Sequence, residues 1–111
     1  MNYNLHESLE AKVQRLLNAM EPGTIIPIQR HQNTAETLIL VRGKMKVVLY
    51  DDNKNVIEQA ILSHELGNYG VQIPAGVWHY VEILENDTVM FEVKEGPYTP
   101  LTDNNLNFNN I

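Results

Sequence analysis

Gln29 and His31, followed by Glu36 and much later by His79, are the residues whose types and spacing suit chemistry better than packing. Side chains at i and i+2 of a strand point to one face, so Gln29 and His31 can converge on a single point. Glu36 follows five residues after His31, enough for a tight turn and a return of the chain. His79, at the end of Pro74-Ala75-Gly76-Val77-Trp78-His79, brings a second imidazole from a distant strand. The four together make a mixed nitrogen and oxygen shell suited to a divalent metal. Glu36 is costly to bury as an anion, so if it points inward a cation must neutralise it, and if it points outward it is a turn residue. Gln29 offers an amide oxygen, a weaker ligand than imidazole, or a hydrogen bond to a bound water.

The elements that must position these groups belong to a chain of 111 residues, the length of one domain and long enough to bury a core without staples. There is no cysteine, so disulfides and thiolate zinc sites are excluded and any metal must rest on imidazole, carboxylate or amide oxygen. With 14 acidic and 8 basic residues the formal charge is −6, which argues against a nucleic-acid partner. The one basic knot, Arg42, Lys44 and Lys46, lacks interleaved aromatics and reads as an exposed strand face. No stretch approaches the roughly 18 apolar residues that span a bilayer, and the start has no basic region followed by an apolar run. The expectation is a soluble, cytoplasmic protein with no membrane partner.

From residue 24 onward short apolar runs are broken by turn residues about every ten positions, the mark of a sandwich or small barrel. Strands are predicted over Thr37 to Val41, Lys44 to Tyr50, Val56 to Leu62, Val71 to Ile73, Trp78 to Leu84 and Thr88 to Lys94. In the fifth of these, His79, Val81 and Ile83 share the apolar, inward side, and in the last Val89, Phe91 and Val93 fall together. Pro74-Ala75-Gly76 forces a corner, because proline fixes φ and glycine tolerates positive φ. Before residue 21, Leu9, Val13, Leu16, Leu17 and Met20 fall at helical spacing, so periodicity alone predicts a helix. The alternative is a capped turn at Asn4 to Glu10 and a strand at Val13 to Met20, with Val13, Leu17 and Ala19 sharing a face with exposed Arg15. Beyond Pro100 asparagines surround Leu106 and Phe108, a tail either frayed or pinned by those two residues.

The spacing Gly23-x5-Gln29-x-His31-x4-Glu36-x6-Gly43 resembles the first cupin motif, with Gln29 where cupins usually have histidine. Pro74-x-Gly76-x-x-His79 resembles the second, with Asn68 and Ile83 at its outer glycine and asparagine positions. Asn4-Leu5-His6-Glu7-Ser8, Val13-Gln14-Arg15-Leu16, Glu21-Pro22-Gly23-Thr24, the Ile73 to His79 stretch and Phe91 to Tyr98 resemble the WbuC-type cupin fold metalloproteins. Members of that family usually carry histidine at the Gln29 position and an extra N-terminal helical segment. The resemblance implies an all-β, single-domain cupin: a conserved β-barrel, the jelly-roll-like double-stranded β-helix. It favours the strand over the helix before residue 21. It implies one domain over residues 1–111, with a core of about 13–98, an N-terminal arm at 1–12 and an Asn-rich C-terminal tail at 99–111.

The same resemblance implies a divalent metal ion (zinc, manganese, iron or nickel) on Gln29, His31, Glu36 and His79, a small-molecule ligand, a homodimer, and association with bacterial surface polysaccharides. Type I phosphomannose isomerases resemble this chain in ligand type, holding zinc with a Gln-x-His pair, a glutamate and a second histidine. The expected function is isomerisation or epimerisation of a sugar derivative, with Glu36 or a metal-bound water as proton carrier. The alternatives are a non-catalytic module binding a sugar or small acid, and a metal-dependent dioxygenase. His6, Arg30 and Tyr98 are the candidate substrate-binding residues: His6 from the family-like stretch, Arg30 as an anion partner, and Tyr98 folding over the barrel mouth. His64 reads as a solvated loop residue, and Trp78 and Tyr80 as packing or dimer contacts.

Overall fold

A computed structural model describes residues 1–106, apart from the side chains of residues 103 and 104. Its eight strands are β1 (Asn2–Asn4), β2 (Val13–Met20), β3 (Glu36–Arg42), β4 (Lys44–Tyr50), β5 (Val56–Ser63), β6 (Gly70–Ile73), β7 (Trp78–Ile83) and β8 (Thr88–Glu95), followed by one helical turn, α1 (Asp103–Leu106). They form a five-stranded sheet in the order β1-β2-β8-β3-β6 and a three-stranded sheet in the order β5-β4-β7, antiparallel throughout. The architecture is all-β, as the turn spacing predicts.

The core lies between the inner faces of the two sheets. Leu38 and Leu40 on β3 and Met90 on β8 meet Met45, Val47 and Leu49 on β4, all nearly sealed from solvent. Period-two alternation puts the intervening residues outside: Ile39 and Val41 are exposed.

The inner face of the five-stranded sheet is not uniformly apolar, and this gradient places the site. Going along the strands from the Met20, Leu40 and Met90 end, the inward positions become Asn18 and Gln14 on β2, Glu92 on β8 and Glu36 on β3. The register aligns them, with Leu40 opposite Met90, Leu38 opposite Glu92 and Glu36 opposite Lys94. One end of the barrel is therefore a hydrocarbon plug and the other a polar chamber.

Residues 13–20 form a strand, not the helix that the spacing of Leu9, Val13, Leu16, Leu17 and Met20 predicts. All of its residues pair with β8, and three pair with β1 as well, so ladder hydrogen bonds override a modest helix propensity. The face carrying Val13, Arg15, Leu17 and Ala19 is the outer one; Gln14, Leu16 and Met20 are buried. The expected turn before it is present, capped by Ser8, whose hydroxyl accepts from Glu10 N and whose carbonyl accepts from Ala11 N. At the C-terminal end the Asn105 carbonyl accepts from Arg30 N. Leu106 is half-buried, while Phe108 and the last asparagines lie outside the described residues.

The hinge between β3 and β4 rests on Gly43, with φ +88°. A Cβ there would meet Thr88 Oγ1 and lie 2.6 Å from Thr88 Cα. Thr88 is fully buried, and its Oγ1 accepts from Lys44 N (3.2 Å) and donates to Glu85 O (2.8 Å). Gly23, at φ +86°, has open space instead. Gly43→Ala is therefore expected to cost about 3 kcal/mol in urea denaturation and Gly23→Ala about 1 kcal/mol. Equal losses would mean that Thr88 yields without resistance.

Candidate functional site

Glu36 begins β3, one position before the predicted strand start, and this makes it a strand residue instead of a turn residue. It shares the inward face of Leu38 and Leu40 and is buried at 5% exposure. His79 enters from β7 and is equally sealed. The bridging segment that holds Gln29 is fastened to β7 by a reciprocal pair, Gln29 N donating to His79 O (3.1 Å) and His79 N to Gln29 O (2.8 Å). His31 is held at the other end, where its carbonyl accepts from Gly76 N at 2.7 Å. Gly76 sits at φ +79°, as the Pro-Ala-Gly corner demands.

These supports bring three donors together. Glu36 Oε2 lies 3.5 Å from His31 Nε2 and 3.5 Å from His79 Nε2. The donor atoms of His31, Glu36 and His79 all fall within 4.8 Å of one another. The His79 ring has Nδ1 3.1 Å from the Val77 carbonyl, which only accepts, so Nδ1 carries the hydrogen and Nε2 presents a lone pair to Glu36. Burial pushes the His79 pKa down, and takes that of His31 down to about 4, with help from the nearby Lys94 charge. Two neutral imidazoles thus flank a carboxylate oxygen that is buried and has no hydrogen-bond partner. Facing electron pairs at this distance repel unless a cation lies among them. Bonds of about 2.0–2.2 Å to a tetrahedral or octahedral ion would set such donors roughly 3–3.5 Å apart, so the group fits a divalent metal of the imidazole and carboxylate class.

Two residues that the sequence reading did not single out complete the chamber. Glu92 is buried on β8, and burial pushes its pKa up to about 8, reinforced by a hydrogen bond to Glu36 and by that residue's charge. Lys94 Nζ stands 3.7 Å from Glu92 Oε2. A signal for them existed: in β8 the side opposite Val89, Phe91 and Val93 ends in a glutamate and a lysine two residues apart, and that side is the inner one.

A main cavity of about 300 Å³ opens beside His31, and a deeper one of about 110 Å³ reaches His79. Gln29, Glu36, Glu92 and Asn18 line both and so form the boundary between them. Of the candidate substrate residues, His6 is buried and lines the main cavity, and Tyr98 is half-exposed at its rim. Tyr98 is held there by its N donating to Leu9 O at 2.7 Å. Arg30 does not line either cavity: its guanidinium lies 4.4 Å over the Trp78 ring and 3.6 Å from Asp52, because residue 30 alternates outward between Gln29 and His31. Trp78 is thereby a packing residue. His64 is exposed, with Nε2 2.9 Å from Leu40 O and its ring edge-on to Tyr69.

The arrangement of two facing antiparallel sheets is shared with solved cupin-fold proteins. The capsular polysaccharide assembling protein CapF from Staphylococcus aureus superposes with a TM-score of 0.76 at 21% identity over 94% of this chain and 30% of that one. BH2720 from Bacillus halodurans gives 0.67 at 24% identity, over 79% and 65% respectively. An oxalate decarboxylase gives 0.65 at 19%, over 80% and 23%. The chain thus spans about three-tenths of the CapF chain. These likenesses define the fold as that of the cupins. The chain belongs to the family described as a domain of unknown function, DUF6016, whose model matches residues 1–62. No protein of curated function matches the sequence. Among the described residues no helix is long and apolar enough to cross a membrane.

The paired shifts predict a two-sided pH response in the metal-free protein. Glu92 keeps its proton to about pH 8 when folded but loses it near 4.5 when unfolded, so the unfolded chain binds fewer protons and stability falls as pH rises. His31 has the opposite sign: its folded pKa of about 4 lies below the unfolded 6.5, so stability falls as pH drops through that window. Between pH 6.5 and 8 the Glu92 contribution acts without the histidines. With chelator present, the urea midpoint is expected to fall over that range, and Glu92→Gln to flatten the slope. A wild-type midpoint that stays level or rises would contradict the buried, protonated Glu92.

Proposed function

We propose that this chain is a metal-dependent cupin of WbuC type that isomerises or epimerises a small sugar derivative of surface-polysaccharide metabolism. The observation that carries the reading is the buried Glu36 oxygen with no hydrogen-bond partner, placed 3.5 Å from two imidazole Nε2 atoms at the floor of a cavity of monosaccharide size. His31, Glu36 and His79 hold the metal, and Gln29, on the wall of both cavities, supplies an amide oxygen as the fourth ligand. A divalent ion at this place supplies Lewis-acid polarisation of a carbonyl or hydroxyl oxygen. The fold likeness to a capsular polysaccharide assembling protein supports a carbohydrate setting.

Either reaction requires a proton to leave a carbon beside the carbonyl and return to the opposite face or to a neighbouring carbon, and in the second case the hydroxyl proton also passes to the former carbonyl oxygen. Glu36, flanked by both imidazoles, is committed to ligation, and this favours Glu92 over Glu36 as the proton carrier. Its carboxylate takes the proton and gives it back, so the group ends as it began. Glu92 is protonated in the metal-free chain; a divalent cation beside Glu36, together with Lys94 3.7 Å from Glu92, would favour the ionised form that starts the cycle. Tyr98 at the rim offers a hydroxyl to the substrate. The homodimer forms part of the same reading, supported by exposed Val13, Ile39 and Val41 on the outer face of the five-stranded sheet.

Two variants separate the roles. His79→Ala is expected to lower bound metal at least tenfold, read by elemental analysis after loading with zinc, manganese, iron or nickel, with an unchanged circular dichroism spectrum. Glu92→Gln is expected to keep the metal and to abolish incorporation of solvent deuterium into a panel of keto sugars and nucleotide sugars. Full metal in His79→Ala would overturn the metal site. Iron-dependent oxygen uptake without deuterium incorporation would replace the isomerase reading with a dioxygenase.

A further inference from the structure

The wall of the main cavity farthest in sequence from the cupin motifs is made by β1 and the residues just after it. Asn2, Asn4 and His6 alternate inward and all line the cavity, with Asn18 of β2 directly opposite Asn2 in the register. No part of the proposed metal chemistry uses this wall. His6 is nonetheless buried at 8% exposure, an unusual cost for an imidazole near a chain end.

The hydrogen bonds around the ring fix its tautomer. Nδ1 lies 3.0 Å from both Arg15 N and Arg15 O. That carbonyl already accepts from Leu5 N at 2.7 Å, which shows that Arg15 turns its amide and its carbonyl toward β1, away from β8. The Arg15 amide then has Nδ1 as its acceptor, so Nδ1 carries the lone pair and Nε2 the hydrogen. With the Nδ1 edge tied to the backbone, Nε2 lies on the other edge of a ring that lines the cavity, itself covered from solvent. It is a buried donor with no partner among the described residues. A donor left in that state is destabilising, and a ligand oxygen would satisfy it.

We propose that His6, with the carboxamides of Asn2, Asn4 and Asn18, forms a hydroxyl-recognising subsite in which His6 Nε2–H donates to a sugar oxygen. It rests on the reading of the cavity as a carbohydrate site and adds a specificity-determining wall to it. Carboxamides donate and accept at once, as hydroxyl groups do, so the wall suits a neutral polyol face of one ring. A volume of about 300 Å³ admits a single ring. Leu9 and Tyr98, both about half exposed, also line this cavity.

The test uses imidazole-detected NMR on the full chain, metal-loaded and chelated, titrated with D-glucose, N-acetyl-D-glucosamine and D-glucuronate. The His6 ring is expected to show the Nε2–H tautomer and a saturable shift with at least one of these sugars. His6→Asn keeps an acceptor for Arg15 N and removes the Nε2 donor. It should therefore fold normally, bind metal as wild type does, and weaken the sugar about tenfold. An Nδ1–H tautomer, the absence of any sugar shift at His6, or equal sugar affinity in His6→Asn would overturn the subsite. Loss of the metal reading shows separately, as full metal in His79→Ala, and leaves the chelated titration to decide the role of His6.

Discussion

A carboxylate oxygen buried between two neutral imidazoles is the constraint on which the rest of this molecule depends. Among the described residues nothing donates to Glu36 Oε2, although a barrel interior could easily have been closed there with leucine. Burying an anion costs several kcal/mol when it has no partner, and the two flanking rings are held neutral by the same burial. The fold accepts this cost at one end because the other end is packed with Leu40, Met45, Met90 and their neighbours. The polar chamber and the hydrocarbon plug are two ends of the same strands, and a shift of one residue in register would exchange their faces.

The second constraint is proton sharing. Glu36 and Glu92 lie close enough for a hydrogen bond that requires one of them to be protonated, and Lys94 stands just beyond. A cation among the imidazoles and a proton on Glu92 are thus two ways of neutralising one crowded set of charges. Protonation of Glu92 and binding of a cation beside Glu36 would therefore be coupled by electrostatics.

Much of this was legible in the sequence, and the parts that were not share a cause. The turn residues after residue 50 and around Gly67 to Gly76 announce the hairpins, and the two spacing motifs pick out His31, Glu36 and His79, whose donor atoms the fold brings within 4.8 Å of one another. Residues 13–20 form the strand that the family resemblance favours; periodicity alone points to a helix because their apolar residues sit on both faces of a strand, which imitates a helical stripe until β8 and β1 supply pairing partners. Glu92 and Lys94 were overlooked because Val89, Phe91 and Val93 gave β8 an obvious apolar side, which the fold turns outward. Arg30 reads as an anion partner from its charge, yet alternation sends it to Trp78. Pairing partners and the choice of inner face are tertiary facts that a local pattern does not contain.

The reciprocal backbone bond between Gln29 and His79 has a consequence for how a metal would be captured. One suspected ligand is clamped to another through the main chain, so neither can wander independently when the ion is absent. The entropy of gathering the donors is therefore spent during folding, and an arriving ion meets a rigid chelate whose affinity is not discounted by having to assemble it.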